Sequence, residues 1–232
     1  MPELLGAPVA GDAAVIREEI RTPRAAAVAG LVFSALLIVA LVLVKLTIGV
    51  RPSDGGVWLT NQTHRTAVLV ALGLIPFAAI AFLWFIGVVR DHIGDREDRF
   101  FATVFLGSGL LFLAMLLAAA AVAGSLVASA HQDSALAASG VWDVARRATD
   151  TLMNVYAMRM AAVFMISTST LLSRGGLAPR VLSLSGYVIA VVLLISVSSL
   201  VWAELLFPAW VMLVSLHILR RGYPPGPDAA TS

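Results

Sequence analysis

Fourteen acidic and sixteen basic residues are spread over 232 positions, and 59% of the chain is hydrophobic. In so apolar a chain the ionisable groups worth following are those that fall inside or against long apolar runs. Arg159 sits in VYAMRMAAVFMISTSTL, about two turns into the run, and Asp150 stands just before it. Lys45 closes an earlier run and Glu204 interrupts LVWAELLFPAW. A charged side chain inside a membrane helix costs roughly 2.5–3.5 kcal/mol on insertion scales, so it calls for a partner or a wet cavity. We therefore expect an Arg159–Glu204 or Arg159–Asp150 ion pair within a cluster of Lys45, Asp150, Arg159 and Glu204. As a site, the cluster would line an outward-facing pocket for an anionic ligand or a lipid headgroup. As structure, it would pin one helix against its neighbours, and that role is favoured.

Other chemistry finds little to work with. The chain has no cysteine, which removes disulfides, thiolate metal sites and CxxC redox chemistry. His64, His92, His131 and His217 share no i, i+3 or i+4 spacing, and three lie at or beyond helix ends, so neither a zinc nor a bis-histidine haem site is expected. No Gly-x-Ser-x-Gly, His-Glu-x-x-His or phosphate-binding glycine loop is present. No catalytic, cofactor-binding or metal-binding residue is assigned. The hydroxyl clusters Ser167–Thr168–Ser169–Thr170 and Ser196, Ser198, Ser199 are expected to bond back to their own helices.

The elements that must position the charges follow from composition. Only 13% of residues are charged and the mean hydropathy is +0.92. Soluble domains carry about 25% charge, and several runs here approach the ~20 residues that cross a bilayer as a helix. The expected class is all-α, a polytopic transmembrane bundle, because a helix satisfies its own backbone in lipid. Six spans are predicted over about 24–47, 66–90, 96–129, 152–173, 181–202 and 204–220, within a membrane domain of 23–220. Residues 1–22 read as a cytoplasmic tail with a short amphipathic segment at 13–20, and 221–232 as a disordered tail.

Local signals support these limits. Thr22 is placed as an N-cap with Pro23 at the first helical position. Pro76 should kink the second helix. Small residues such as Gly107, Gly109, Ala118 to Ala121 and Gly124 predict a central third helix packed on several sides. From Ser139 to Val155 the apolar residues Val141, Val144, Ala145, Ala148 and Leu152 recur at helical spacing against Asp143, Arg146, Arg147 and Asp150. That pattern predicts an interfacial amphipathic helix before the fourth span. A hairpin near Trp202–Pro208 divides the last apolar stretch, with Trp202 and Trp210 at the interface and Pro208 in the first turn of the sixth helix.

Orientation follows from arginine. Arg17, Arg21, Arg24, Arg90, Arg96, Arg99, Arg174, Arg180, Arg220 and Arg221 share one side in a six-span chain. Lys45, Arg51, Arg65, Arg146 and Arg147 occupy the other. The positive-inside rule puts both termini in the cytoplasm and the cluster outside. The basic residues mark segment ends without interleaved aromatics, so nucleic acid is not a partner. Only Lys45 among the basic residues is lysine, a bias that points to a GC-rich bacterial genome and an inner-membrane location.

One stretch carries a resemblance. Gly87-x-x-x-Asp91-His92-x-Gly94-x-Arg96 resembles the loop between the second and third helices of the major facilitator superfamily. His92 stands where that family usually has Arg or Lys, and Glu97 where a second basic residue is common. The resemblance implies a conformation-dependent contact between Asp91 and Arg96, and dimerisation to form a transport path. The same charges suit helix ends: Arg90 at a C-terminus, Asp95 as an N-cap, Glu97 and Asp98 in a first turn, Asp95 beside Arg99. The stretch as a whole resembles polytopic proteins of actinobacterial type, which implies a membrane location and no activity.

The expected function is thus a non-catalytic structural, accessory or regulatory membrane subunit, with the lipid bilayer and a homodimer or another membrane protein as partners. The alternative is a small transporter or half-transporter working as a homodimer. A lipid-modifying enzyme using the outer charges comes third.

Overall fold

The computed structural model describes residues 11–48, 62–93, 99–132, 140–174, 179–195 and 202–221, with side chains described within 24–47, 62–90, 102–129, 140–174, 179–195 and 202–220. The elements are α1 (Gly11–Ile48), α2 (Gln62–Ile93), α3 (Arg99–Gln132), α4 (Gly140–Asp150), a π-helical segment (Thr151–Ala157), α5 (Met158–Arg174), α6 (Arg180–Ile195), a 3-10 turn (Ala203–Leu205) and α7 (Leu206–Arg221). Five stretches are long and apolar enough to cross a membrane: Arg24–Thr47, Gln62–Arg90, Ala102–Ser129, Gly140–Arg174 and Ala203–Arg220; the apolar helix Arg180–Ile195 is shorter. The described chain is a multi-pass helical bundle.

Its surface reads as the inverse of a soluble protein. Phe77, Trp84, Leu46 and Val181 are exposed at 64%, 67%, 70% and 78%. Bands of large apolar side chains turned outward on α1, α2, α3, α6 and α7 need a non-aqueous surrounding. Neighbouring helices close a ring: α1 lies against α2 and α7, α2 against α3, α3 against α5, α5 against α6, and α6 touches α7. Phenylalanine fills the middle. Phe33 from α1, Phe82 and Phe85 from α2, Phe105 and Phe112 from α3, Phe164 from α5 and Phe207 from α7 are all fully buried. Ring centroids lie 4.4 Å apart for Phe33–Phe82, 5.1 Å for Phe82–Phe164, 4.8 Å for Phe105–Phe164 and 4.9 Å for Phe112–Phe207. These separations are those of attractive stacked and edge-on pairs.

Glycine sets the closest approaches. A Cβ on Gly186 of α6 would collide with Ser169 Oγ of α5 and stand 2.8 Å from the Trp210 ring of α7. One on Gly30 of α1 would meet Ser215 of α7 and, at 2.9 Å, Phe85. Helices without side chains at these points come close enough to pack by dispersion.

Several expectations need correction. The first helix starts at Gly11 and runs through Pro23, so Thr22 is not its cap and the segment 13–20 is not separate. A proline ring removes one backbone bond, and the helix-favouring residues on both sides carry the turn across it. The second helix begins four residues earlier than predicted, at Gln62, and continues through Pro76. The third packs on several sides, against α2, α4, the π segment and α5, but it is not the most enclosed: 28% of its spanning window is buried, the lowest share of the five. Gly107 meets nothing within 4 Å, because small residues permit a close approach without creating one.

The amphipathic helix is continuous with the fourth span, Gly140 to Arg174. It buries Trp142 and leaves Val141 and Val144 exposed. Trp210 sits in the core, not at the interface, and donates from Nε1 to the Leu182 carbonyl at 3.3 Å. Pro208 does lie in the first turn of α7. The fifth helix is described to Ile195, and 196–201 lie outside the described residues, as do both predicted tails apart from the helical backbone from Gly11.

Candidate functional site

At one end of the bundle the last turn of α1, the turn before α7, and the junction of α4 with the π segment come together. Lys45 is the basic residue of the last turn of α1. Glu204 lies in the 3-10 turn, whose tight winding is closed by Leu205 N–H donating to the Trp202 carbonyl at 3.1 Å. The turn points its residues in different directions: Trp202 is half exposed whereas Glu204 is buried. Lys45 Nζ reaches Glu204 Oε1 at 3.1 Å, with 26% of the lysine side chain and 9% of the glutamate side chain exposed. The lysine stem runs along apolar surface and its ammonium keeps partial contact with the exterior. The carboxylate has no such outlet.

Two further polar groups complete the arrangement. Asn154 Nδ2 donates to Asp150 Oδ1 at 2.5 Å along the start of the π segment. The Asn154 amide and the Asp150 carboxylate both lie near enough to Glu204 to act on it electrostatically. One ammonium, two carboxylates and one amide thus tie α1, the α4–π junction and the entrance to α7. Taking an ion pair out of water costs several kcal/mol per ion, and the Coulomb attraction offsets this only when the remaining lone pairs are also satisfied. Asn154 stands beside the carboxylate as its polar neighbour. The cluster holds no histidine or cysteine, and among the described residues no group of three His, Cys, Asp or Glu could hold a metal ion. Its chemistry is charge pairing.

Three of the four residues singled out in the sequence therefore meet here: Lys45, Asp150 and Glu204. Arg159 does not join them. Its Nη1 donates to the Val155 carbonyl at 3.1 Å, and among the described residues the cation on Glu204 is Lys45. The expected Arg159–Glu204 or Arg159–Asp150 pair is not formed. A π turn spreads its carbonyls out of the regular i−4 register, and the guanidinium takes one of them instead of a carboxylate. Asn154 was missed by the sequence reading. Its signal was the four-residue spacing from Asp150, visible but unremarkable in a polar stretch.

The other candidates are soon placed. Arg96 and the side chain of Asp91 lie outside the described residues. Ser167, Thr168 and Thr170 donate to the carbonyls of Val163, Phe164 and Ile166, four residues back in each case, at 3.1, 2.7 and 2.8 Å. That is the local bonding expected of membrane hydroxyls; Ser169 departs from it, its Oγ buried without a hydrogen-bond partner. Thr170 also meets the Tyr187 hydroxyl at 2.8 Å, joining α5 to α6. Ser196, Ser198 and Ser199 lie outside the described residues.

No family model matches the chain, and no curated protein or solved structure is detectably similar to it.

Proposed function

We propose that the chain is a six-span protein of a bacterial inner membrane, with both termini in the cytoplasm, acting without catalysis as a structural, accessory or regulatory subunit. The observation that carries this reading is the filled centre of the helix ring, where seven phenylalanines from five helices are fully buried. A carrier needs a polar or wet passage reaching mid-membrane, and ring contacts between Phe33, Phe82, Phe112, Phe164 and Phe207 occupy that level. The Lys45–Glu204 pair then serves as a staple between helix ends. The charged stretch from Arg90 to Arg99, including the facilitator-like Asp91 and Arg96, acts as an orientation signal.

Affinity capture of the tagged protein from its native membranes tests the functional half. A membrane protein recovered in fixed ratio supports the subunit role. Recovery of the chain alone as a homodimer, with substrate accumulation in proteoliposomes, replaces that role with the half-transporter. Because the natural chain contains no cysteine, single cysteines at Leu46 and Leu219 give the topology directly. Impermeant thiol reagents applied outside should label the first and not the second.

A further inference from the structure

A groove of about 490 Å³ opens between α1 and the start of α2, lined by Leu43, Gln62, Thr63, Thr66, Ala67 and Val70. It stands at the same end of the bundle as Lys45 and has no part in the charge cluster. Its lining divides by depth. Gln62, Thr63 and Thr66 occupy the first turns of α2, whereas Val70 lies about one turn beyond Thr66 and about two beyond Gln62, at 1.5 Å of rise per residue. Leu43 and Ala67 complete the apolar part. The helix enters the apolar belt from this end, so the amide and hydroxyls fall at headgroup level and the apolar wall at the level of acyl chains. The groove also runs onto outward-facing apolar surface: Val39, Leu46 and Leu69 are exposed beside it, and Val70 is itself half exposed.

We propose that this groove is a binding site for a glycerolipid, seating its ester-linked glycerol on Gln62, Thr63 and Thr66 and one acyl chain along Leu43, Ala67 and Val70. The volume lies within the range of ordinary ligand pockets, about 300–1,000 Å³. The lining offers hydrogen-bond donors and acceptors without a formal charge, which matches ester carbonyls and a glycerol hydroxyl and not a phosphate. It also lacks an acid–base residue, so the groove holds its ligand without altering it. This assignment is independent of the subunit role, since a transporter or an accessory protein can carry a bound lipid equally well.

Native mass spectrometry of the detergent-solubilised full chain tests it, titrating dioleoylglycerol and dioleoylphosphatidylglycerol as separate probes. Both should bind one molecule with similar affinity, because the glycerol diester is common to them. The double substitution Gln62→Leu with Thr66→Val keeps the shape and removes two hydrogen-bonding groups, and should weaken both ligands about tenfold or more. Ala67→Phe should block the apolar wall and have a similar effect. Val188→Ala on α6, an equally outward-facing position, should change nothing. Equal retention by all variants would mean annular lipid only and overturn the assignment. So would binding restricted to phosphatidylglycerol, because that places recognition on a phosphate the lining does not meet.

Discussion

Replacing Lys45 by Met removes the one cation that faces Glu204 among the described residues and leaves a side chain of similar length. Glu204 is then a carboxylate with 9% of its side chain exposed, left with Asn154 nearby and the unfavourable neighbourhood of Asp150. Breaking a buried pair by removing one partner costs about 3–5 kcal/mol. The 26% exposure on the lysine side lets solvent reach the vacated position, so the lower end, about 3 kcal/mol, is expected. Replacing both partners, Lys45→Met with Glu204→Met, removes the stranded charge, and such swaps are often neutral or stabilising. The double variant should therefore lie within about 1 kcal/mol of the natural chain, giving a coupling of roughly 2 kcal/mol or more between two contacting sites. Reversible unfolding in mixed micelles, followed by helical circular dichroism, measures all four corners of the cycle. If Lys45→Met costs under about 0.5 kcal/mol, as a solvent-exposed pair would, the buried staple is not what holds these helix ends together. Strictly additive single effects would be equally damaging.

Packing supplies a second set of outcomes in the same assay. Gly186→Leu forces a side chain into Ser169 and the Trp210 ring and should cost about 1–3 kcal/mol or prevent assembly, whereas Gly107→Ala, with nothing within 4 Å, should leave stability unchanged or slightly higher. Phe82→Ala opens the centre of the aromatic cluster, where Phe82 meets Phe33, Phe85, Phe112, Phe164 and Phe207, and should cost about 3–5 kcal/mol. A loss below about 1 kcal/mol there would show the centre to be loosely filled. Arg159→Gln should shift stability by no more than about 1 kcal/mol, the worth of one ordinary hydrogen bond, because the lost interaction is a bond to Val155 within its own helix. A loss comparable to that of Lys45→Met would put Arg159 back into the charge cluster.

The level of each charge was legible from the sequence, and its facing was not. Alternating helices bring the end of one apolar run and the start of the next to the same side, so Lys45, Asp150 and Glu204 could be placed together from chain order alone. The partner of Glu204 depends on how each helix is turned about its axis. That in turn depends on regular winding, and the wide turn at Thr151–Ala157 breaks it. Each residue of an α-helix advances about 100°, so a single extra residue taken up in a π turn re-aims everything beyond it relative to what precedes it. Asp150 and Asn154 stand at the near end of that segment and face Glu204; Arg159 stands just past the far end and faces its own backbone. No periodicity count across 150–159 could separate them, because the count assumes the winding that fails there.

A similar limit explains the third helix and the tryptophans. Small side chains lower the cost of close packing on every face they occupy without selecting a face, so the glycines and alanines of α3 fitted a central helix as well as a peripheral one. Which face of α3 is closely met is set by its partners: Gly109 is overhung by Ile86 and Phe164, while Gly107, two residues away, meets nothing. For tryptophan, the two residues differ: Trp202 is half exposed at the open end of the 3-10 turn, whereas the expectation of an interfacial indole meets a buried ring at Trp210. It fails for Trp210 because Gly186 leaves room for an indole and the Leu182 carbonyl accepts its N–H. An indole with both its bulk and its donor accommodated has no remaining reason to stay at the headgroups. The accommodating residues lie on a different helix, more than twenty positions away, where reading along one segment does not reach. Gly186→Ala should therefore disturb Trp210 on α7 as well as Ser169 on α5, the two side chains its Cβ would meet. The assay is tryptophan emission in a variant retaining Trp210 alone, and a red shift with helical content intact is the expected result. Unchanged emission would mean that the indole pocket does not depend on the glycine.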